Sequence, residues 1–278
     1  MKYFLPFLLF LSFGLQAQLT SQFKTHWFDG HAEISSYELD QSRYGEQRHG
    51  KAVVIFVTED FLPQQQVKAN QKSKTTLPIL KSNRTKNFLT GIYPYSIMNS
   101  SFSSLRKGHP MLKSTTSIQE WCGQSYLQIN YKNNHMHLIS HSYFEGEADQ
   151  EKQLDKTLAE EAIWNLLRIN PQKLPTGNFS ILPALEFIRM NHRDYEVTKA
   201  YGVLSSGNYT IDMPAIERRL EIKFSEQFPY LIEGWTETYS HKGKTYTSQA
   251  KRIHTARRKY WQENQNKYEM LRQPFNLN

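Results

Sequence analysis

Along most of this chain, hydrophobic and polar residues alternate with the period of a strand, and a single stretch carries a helical spacing. Ala52 to Val57 (AVVIFV) is an unbroken apolar run of six, the mark of a strand covered on both faces. His31 to Tyr44 precedes it, and the turn over Gly45 to Gly50 predicts that the two pair. From Arg219 to Phe224, Leu220, Ile222 and Phe224 share one face while Arg219, Glu221 and Lys223 share the other. Tyr230 to Tyr239 and Lys244 to His254 read as strands joined at His241-Lys242-Gly243. Ser206-Gly207-Asn208 joins Tyr195 to Leu204 with Tyr209 to Met213.

The helical stretch starts at Asp149 as a cap. Leu154, Leu158, Ala162 and Leu166 follow at spacings of four, and Asn170-Pro171 ends it, predicting one main α-helix over about 150–169. A second short helix is expected around Arg257 to Asn264. Roughly ten to twelve strands in neighbouring pairs predict a mainly β protein. The expected fold is an antiparallel meander forming a curved sheet or open barrel, with the helix plugging its concave side or joining two halves. One β-rich domain spans 18–278, interrupted by a polar loop over about 63–87 with Leu77 to Leu80 as its apolar anchor.

The first seventeen residues read differently. Met1-Lys2 is basic, Tyr3 to Leu15 is a charge-free apolar run of thirteen, and Ala17 supplies a small residue at the cut. These are the parts of a cleavable signal peptide over 1–17. A membrane span needs about 20 apolar residues, so this run predicts export rather than anchoring, to the periplasm or beyond. No later segment approaches that length, so no transmembrane span is expected after cleavage.

Composition narrows the chemistry. The 16 Tyr, 16 Phe and 5 Trp favour strands, and Cys122 stands alone, which excludes an internal disulfide, a C-x-x-C pair and a multi-cysteine zinc site. The net charge of +8 is uneven: Phe61 to Gln119 holds nine Lys or Arg and no acid, and Thr238 to Gln262 holds seven more and none. Lys251, Arg252, Arg257, Arg258 and Lys259 are therefore candidate anion-binding residues. In a cell envelope the anions are lipid and glycolipid head groups rather than nucleic acid.

Three places invite chemistry. Alternation puts His135, His137 and His141 on one strand face, with Met136 and Leu138 on the other. His135 and His137 stand about 7 Å apart by strand rise and are candidate metal ligands, while His141 is about 13 Å further on. Cys122 is a candidate nucleophile if a base lies beside it. Glu233 and Glu237 flank Trp235, but about 13 Å of strand separates them, more than a two-carboxylate glycosidase uses. G-x-S-x-G, G-x-G-x-x-G, Walker and H-E-x-x-H patterns are absent, so no cofactor is implied.

The runs HWFDGHAEISSYELDQSRYGE (His26 to Glu46), SIQEWCGQSY (Ser117 to Tyr126) and SHSYFEGEAD (Ser140 to Asp149) resemble a family of exported bacterial proteins without established function. Members are sometimes labelled septum formation inhibitor Maf. The enzymes that properly carry that label have a Ser-Pro-Arg-Arg signature and an α/β pattern, and this chain has neither. The resemblance implies export and a single domain, and no mechanism. The expected function is a non-catalytic binding or assembly domain of the envelope, with a lipid or other amphiphile held in the concavity or an envelope protein as partner. The alternative is an envelope hydrolase centred on Cys122 or on a His135/His137 metal site.

Overall fold

The computed structural model describes residues 19–106 and 110–277, so the signal peptide expected over 1–17 lies outside the described residues. Thr20 caps a short helix α1 (Ser21–Trp27), its Oγ1 accepting from the Phe23 N–H at 3.1 Å. Nine strands follow: β1 (Ala32–Arg43), β2 (Glu46–Leu62), β3 (Val67–Lys68), β4 (Leu77–Thr90), β5 (Tyr93–Ser104), β6 (Lys113–Glu120), β7 (Gly123–Lys132), β8 (His135–Ser142) and β9 (Gln150–Asp155). After β10 (Leu158–Ala159) come helix α2 (Glu161–Ile169), β11 (Gly177–Leu182), helix α3 (Leu185–Met190) and β12 (Thr198–Ser205). The chain then runs through β13 (Asn208–Met213), β14 (Arg218–Phe224), β15 (Ile232–His241) and β16 (Lys244–Arg258). Two 3-10 segments, Tyr260–Gln262 and Asn266–Phe275, end it.

All sixteen strands belong to one sheet, ordered β10-β11-β12-β13-β14-β15-β16-β1-β2-β4-β5-β6-β7-β8-β9, with β3 on β2. Every pair is antiparallel except β10 with β11. The two outermost strands of this order, β9 and β10, are separated in sequence only by Lys156 and Thr157. So short a link spans on the order of 10 Å. The sheet must therefore curl until its edges approach, giving an open barrel without a closing ladder.

The chain leaves that seam directly into α2, which fills the concave side. Asn165, fully buried at mid-helix, donates to the Leu80 and Ser101 carbonyls and to Ser103 Oγ at 3.0–3.2 Å. On the opposite wall, Arg168 forms a two-pronged pair with Glu33 at 2.5 and 2.7 Å. At the other end of the helix, Glu160 is held by Arg218, which also donates to Glu237 at 2.8 Å. Around these pairs Trp27, Tyr37, Phe56, Ile163, Trp164, Leu167, Tyr209 and Trp235 form the main core. A second cluster joins Leu127, Ile129, Met136 and Leu138 to Ala162, Leu185 and Ile188.

The helix is shorter than the expected 150–169, because residues 150–155 are strand β9 and Leu158 belongs to β10. The physical reason is arithmetic: a spacing of four fits a strand's period of two as well as a helical turn. Leu154 thus lies opposite Met136 in the ladder, and Asp149 pairs with His141 at 3.1 Å instead of capping. The polar loop also contracts from 63–87 to 63–76. From Leu77 the chain is β4, paired with β2 from Phe61↔Leu77 to Gly50↔Phe88. Its inward side chains include Arg84 and Lys86, which face the buried carboxylates, so the strand shows no hydrophobic alternation. In AVVIFV, Ala52, Val54 and Phe56 enter the core, while Val53 and Ile55 are only partly covered on the outer face. Among the described residues no helix is long and apolar enough to cross a membrane, which says nothing of strands.

Candidate functional site

Barrel packing decides where a ligand fits. Among Arg84, Trp164, Arg218, Trp235 and Glu237 in the lumen, the free space is about 30 Å³, room for water. The expectation of an acyl chain in the concavity is therefore corrected at this spot, because α2 and its charged partners already occupy it. On the outer face lies a groove of about 520 Å³, within the range of small-molecule sites. Its floor is Ile34, Val53 and Ile55, extended by Thr85 and Asn87 of β4. Its far wall is the C-terminal strap, through Tyr268, Leu271, Phe275 and Leu277.

The strap is fixed at both ends. Arg258, the last residue of β16, makes a two-pronged pair with Glu263 at 2.7 Å on each arm. Beyond it, Phe275 sets its ring edge-on to His254 with centroids 4.9 Å apart, and Asn276 donates to Glu38 Oε1 at 3.0 Å. Between these anchors the strap bridges an apolar floor instead of packing flat on it. Arg272 lines the groove and donates through Nε to the Leu277 carbonyl at 2.8 Å. Among the described residues it has no carboxylate within ion-pair distance.

Of the basic residues singled out in sequence, Arg258 reaches the groove. Arg252 is paired with Glu233 at 2.6 Å and Arg257 with Asp29 at 2.7 Å, while Lys251 and Lys259 are exposed. The acid-free sequence around them misled, because their counter-charges arrive from α1's end and from β15. Arg272 lacked any local signal beyond its position near the C-terminus.

Cys122 sits exposed in the β6–β7 turn, its N–H donating to Glu120 Oε2 at 2.7 Å. A hydrogen bond to Glu120 and that carboxylate's charge push the thiol above its ordinary range, opposite to what a nucleophile needs. His135 and His137 do share a face, with ring centroids 6.5 Å apart. Among the described residues no group of three His, Cys, Asp or Glu could hold a metal. Glu233 and Glu237 diverge, because a register shift in β15 leaves Glu233 out of the ladder while Glu237 turns inward to Arg218.

No protein-family model matches the chain, and no curated protein does. Two solved structures are loosely similar. One is a β-barrel-like protein of a domain of unknown function, DUF1849, from Brucella abortus: 7% identity, TM-score 0.41, covering 82% of this chain and 98% of the other. The second is a porin-like protein from Bacteroides uniformis: 9% identity, TM-score 0.21, covering 79% and 95%. Likenesses this loose carry no functional information.

Proposed function

We propose that this chain is an exported, non-catalytic binding protein of the cell envelope that holds a small amphiphile in the groove beneath its C-terminal strap. The observation that carries the reading is the 520 Å³ groove, whose floor places three aliphatic side chains on the outside of the sheet. Val53 and Ile55 remain partly exposed there, so an apolar group laid on them gains solvation free energy. An alkyl portion would lie on Ile34, Val53 and Ile55, and an anionic end would meet Arg272. The apolar run Tyr3 to Leu15 supports export. The raised thiol of Cys122 disfavours the hydrolase alternative at that residue.

The test is native mass spectrometry of protein purified gently from its own host, followed by solvent extraction. Wild type should carry a discrete excess mass that extracts into organic solvent. Val53→Trp, which fills the groove from the outer face, should lose it, and Arg272→Gln should retain less. A bare mass for wild type, or an excess mass unchanged in Val53→Trp, overturns the reading.

A further inference from the structure

We propose that one end of the barrel is a docking surface for a lipid bilayer, with four hairpin tips entering the interface and Arg43 meeting a lipid phosphate behind them. This surface is separate from the groove. Topology creates it. The turns following β1, β4, β6 and β8 fall at one end of the sheet, because the chain crosses at the opposite end after β2, β5 and β7. Neighbouring tips are two strands apart, about 10 Å.

Each tip exposes large apolar side chains. They are Tyr44 and Leu89 (60% each), Ile92 (84%), Trp121 (69%) and Tyr143 (80%). Among the described residues only Met270 matches that exposure elsewhere. The tips form a linked rim: Tyr44 and Tyr95 hydroxyls lie 2.8 Å apart, and a Cβ built on Gly123 would stand 3.3 Å from the Tyr143 ring.

The chemistry of the two middle tips, after β4 and β6, selects the partner, whereas the outer two also carry Glu46 and Glu145. From Asn87 to Leu105 there is no charged residue, and from Ser114 to Tyr131 Glu120 is the only one. A charge is costly in the hydrocarbon region, whereas Tyr and Trp favour the interface. Protein interfaces instead concentrate their anchors in one packed centre, and these tips are strung along a rim at intervals of about 10 Å.

Behind them, Arg43 supplies charge complementarity. Its Nη1 donates to the Met190 carbonyl at 2.6 Å and its Nη2 to Tyr95 Oη at 3.1 Å, with its guanidinium 4.3 Å from the Tyr44 ring centroid. Among the described residues no carboxylate lies within ion-pair distance of it, and its buried Nε has no partner. Arg43 borders a cleft of about 80 Å³ with Tyr44, Cys122 and Arg189, several times the roughly 10–15 Å³ one water needs. The other charges there are engaged: Arg189 pairs with Glu147 at 3.0 Å, and Glu120 accepts from the Cys122 N–H. A phosphodiester would provide the counter-charge Arg43 lacks.

The experiment is flotation of the purified protein with vesicles of phosphatidylcholine, alone and mixed with phosphatidylglycerol, together with Trp121 emission. Wild type should float with both and its emission should shift to shorter wavelength, a shift absent in Trp121→Phe. Ile92→Ser combined with Trp121→Ser should weaken binding about a hundredfold, on roughly tenfold per tip. These exposed positions should leave the melting temperature unchanged. Arg43→Gln should weaken binding several-fold, and Arg43→Lys should restore part of it. Wild type that stays unbound, or a tip variant that floats as well as wild type, overturns the docking surface. An Arg43→Gln protein that binds like wild type overturns the phosphate contact.

Discussion

Replacing Glu33 by Gln removes one charge from a pair that water scarcely reaches. Glu33 and Arg168 are each about 1% exposed, and two hydrogen bonds of 2.5 and 2.7 Å join them. Burial alone would raise the Glu33 carboxyl. The Arg168 charge and its two hydrogen bonds, with His26 3.7 Å away, outweigh it and hold the group at about 2 against an ordinary 4.5. At 1.36 kcal/mol per pH unit, that difference corresponds to about 3 kcal/mol of stability at neutral pH. Breaking buried pairs from one side costs a similar 3–5 kcal/mol, a large part of the roughly 5–15 kcal/mol that holds a typical domain. Because the folded-state value is depressed, the contribution is fully present above pH 4.5 and is lost as pH falls through 2. Linkage then leaves about 1 kcal/mol of it at pH 3. Urea unfolding followed by tryptophan fluorescence at pH 7 and pH 3 measures both quantities. We expect Glu33→Gln to lose about 3 kcal/mol at pH 7, with the gap to wild type shrinking at pH 3. A gap of equal size at both pH values would refute the charge argument and point to packing instead.

Two further outcomes follow from Glu161 and from the Glu120–Cys122 contact. Burial, reinforced by the neighbouring Glu160, lifts the Glu161 carboxyl from 4.5 to about 7. A raised folded value means stability is greatest below pH 4.5 and declines as pH rises through 7, by about 3 kcal/mol in all. Glu161→Gln keeps an oxygen for the Leu185 N–H, bonded at 2.8 Å in wild type, and should unfold at higher urea than wild type at pH 8. Equal or lower midpoints there would show that Glu161 does not carry that cost. At the β6–β7 turn, Glu120→Gln removes the carboxylate that raises the Cys122 thiol. Iodoacetamide should then alkylate it several-fold faster at pH 7.5, and an unchanged rate would show that Glu120 does not control the thiol.

How much of this was legible in the sequence depends on whether the signal was local. The β1–β2 hairpin, the alternation of β14 and the β15–β16 pair were all readable, because strand period and Gly-centred turns are properties of neighbouring residues. The same alternation put His135 and His137 on one face. The apolar run AVVIFV gave the strand but not full cover on both faces, since Val53 and Ile55 stay partly exposed on the groove.

What only the tertiary structure decided depends on residues far apart in the chain. β4 hid inside a polar tract because Arg84 and Lys86 face buried acids brought in by other elements, so no hydrophobic period marks it. The helix start was ambiguous because leucines four apart suit either period, and it took the β8–β9 ladder to fix residues 150–155 as strand. The basic tracts looked unpaired since their carboxylates lie up to 228 residues away, as with Arg257 and Asp29. The groove, the plugged lumen and the aligned hairpin tips exist only once the sheet has curled. Curling brings β9 and β10 together across the two-residue link, sends α2 inward, and leaves the C-terminal strap to cross the outside. Pattern along the chain sets which face a side chain takes, and closure of the sheet sets what that face meets.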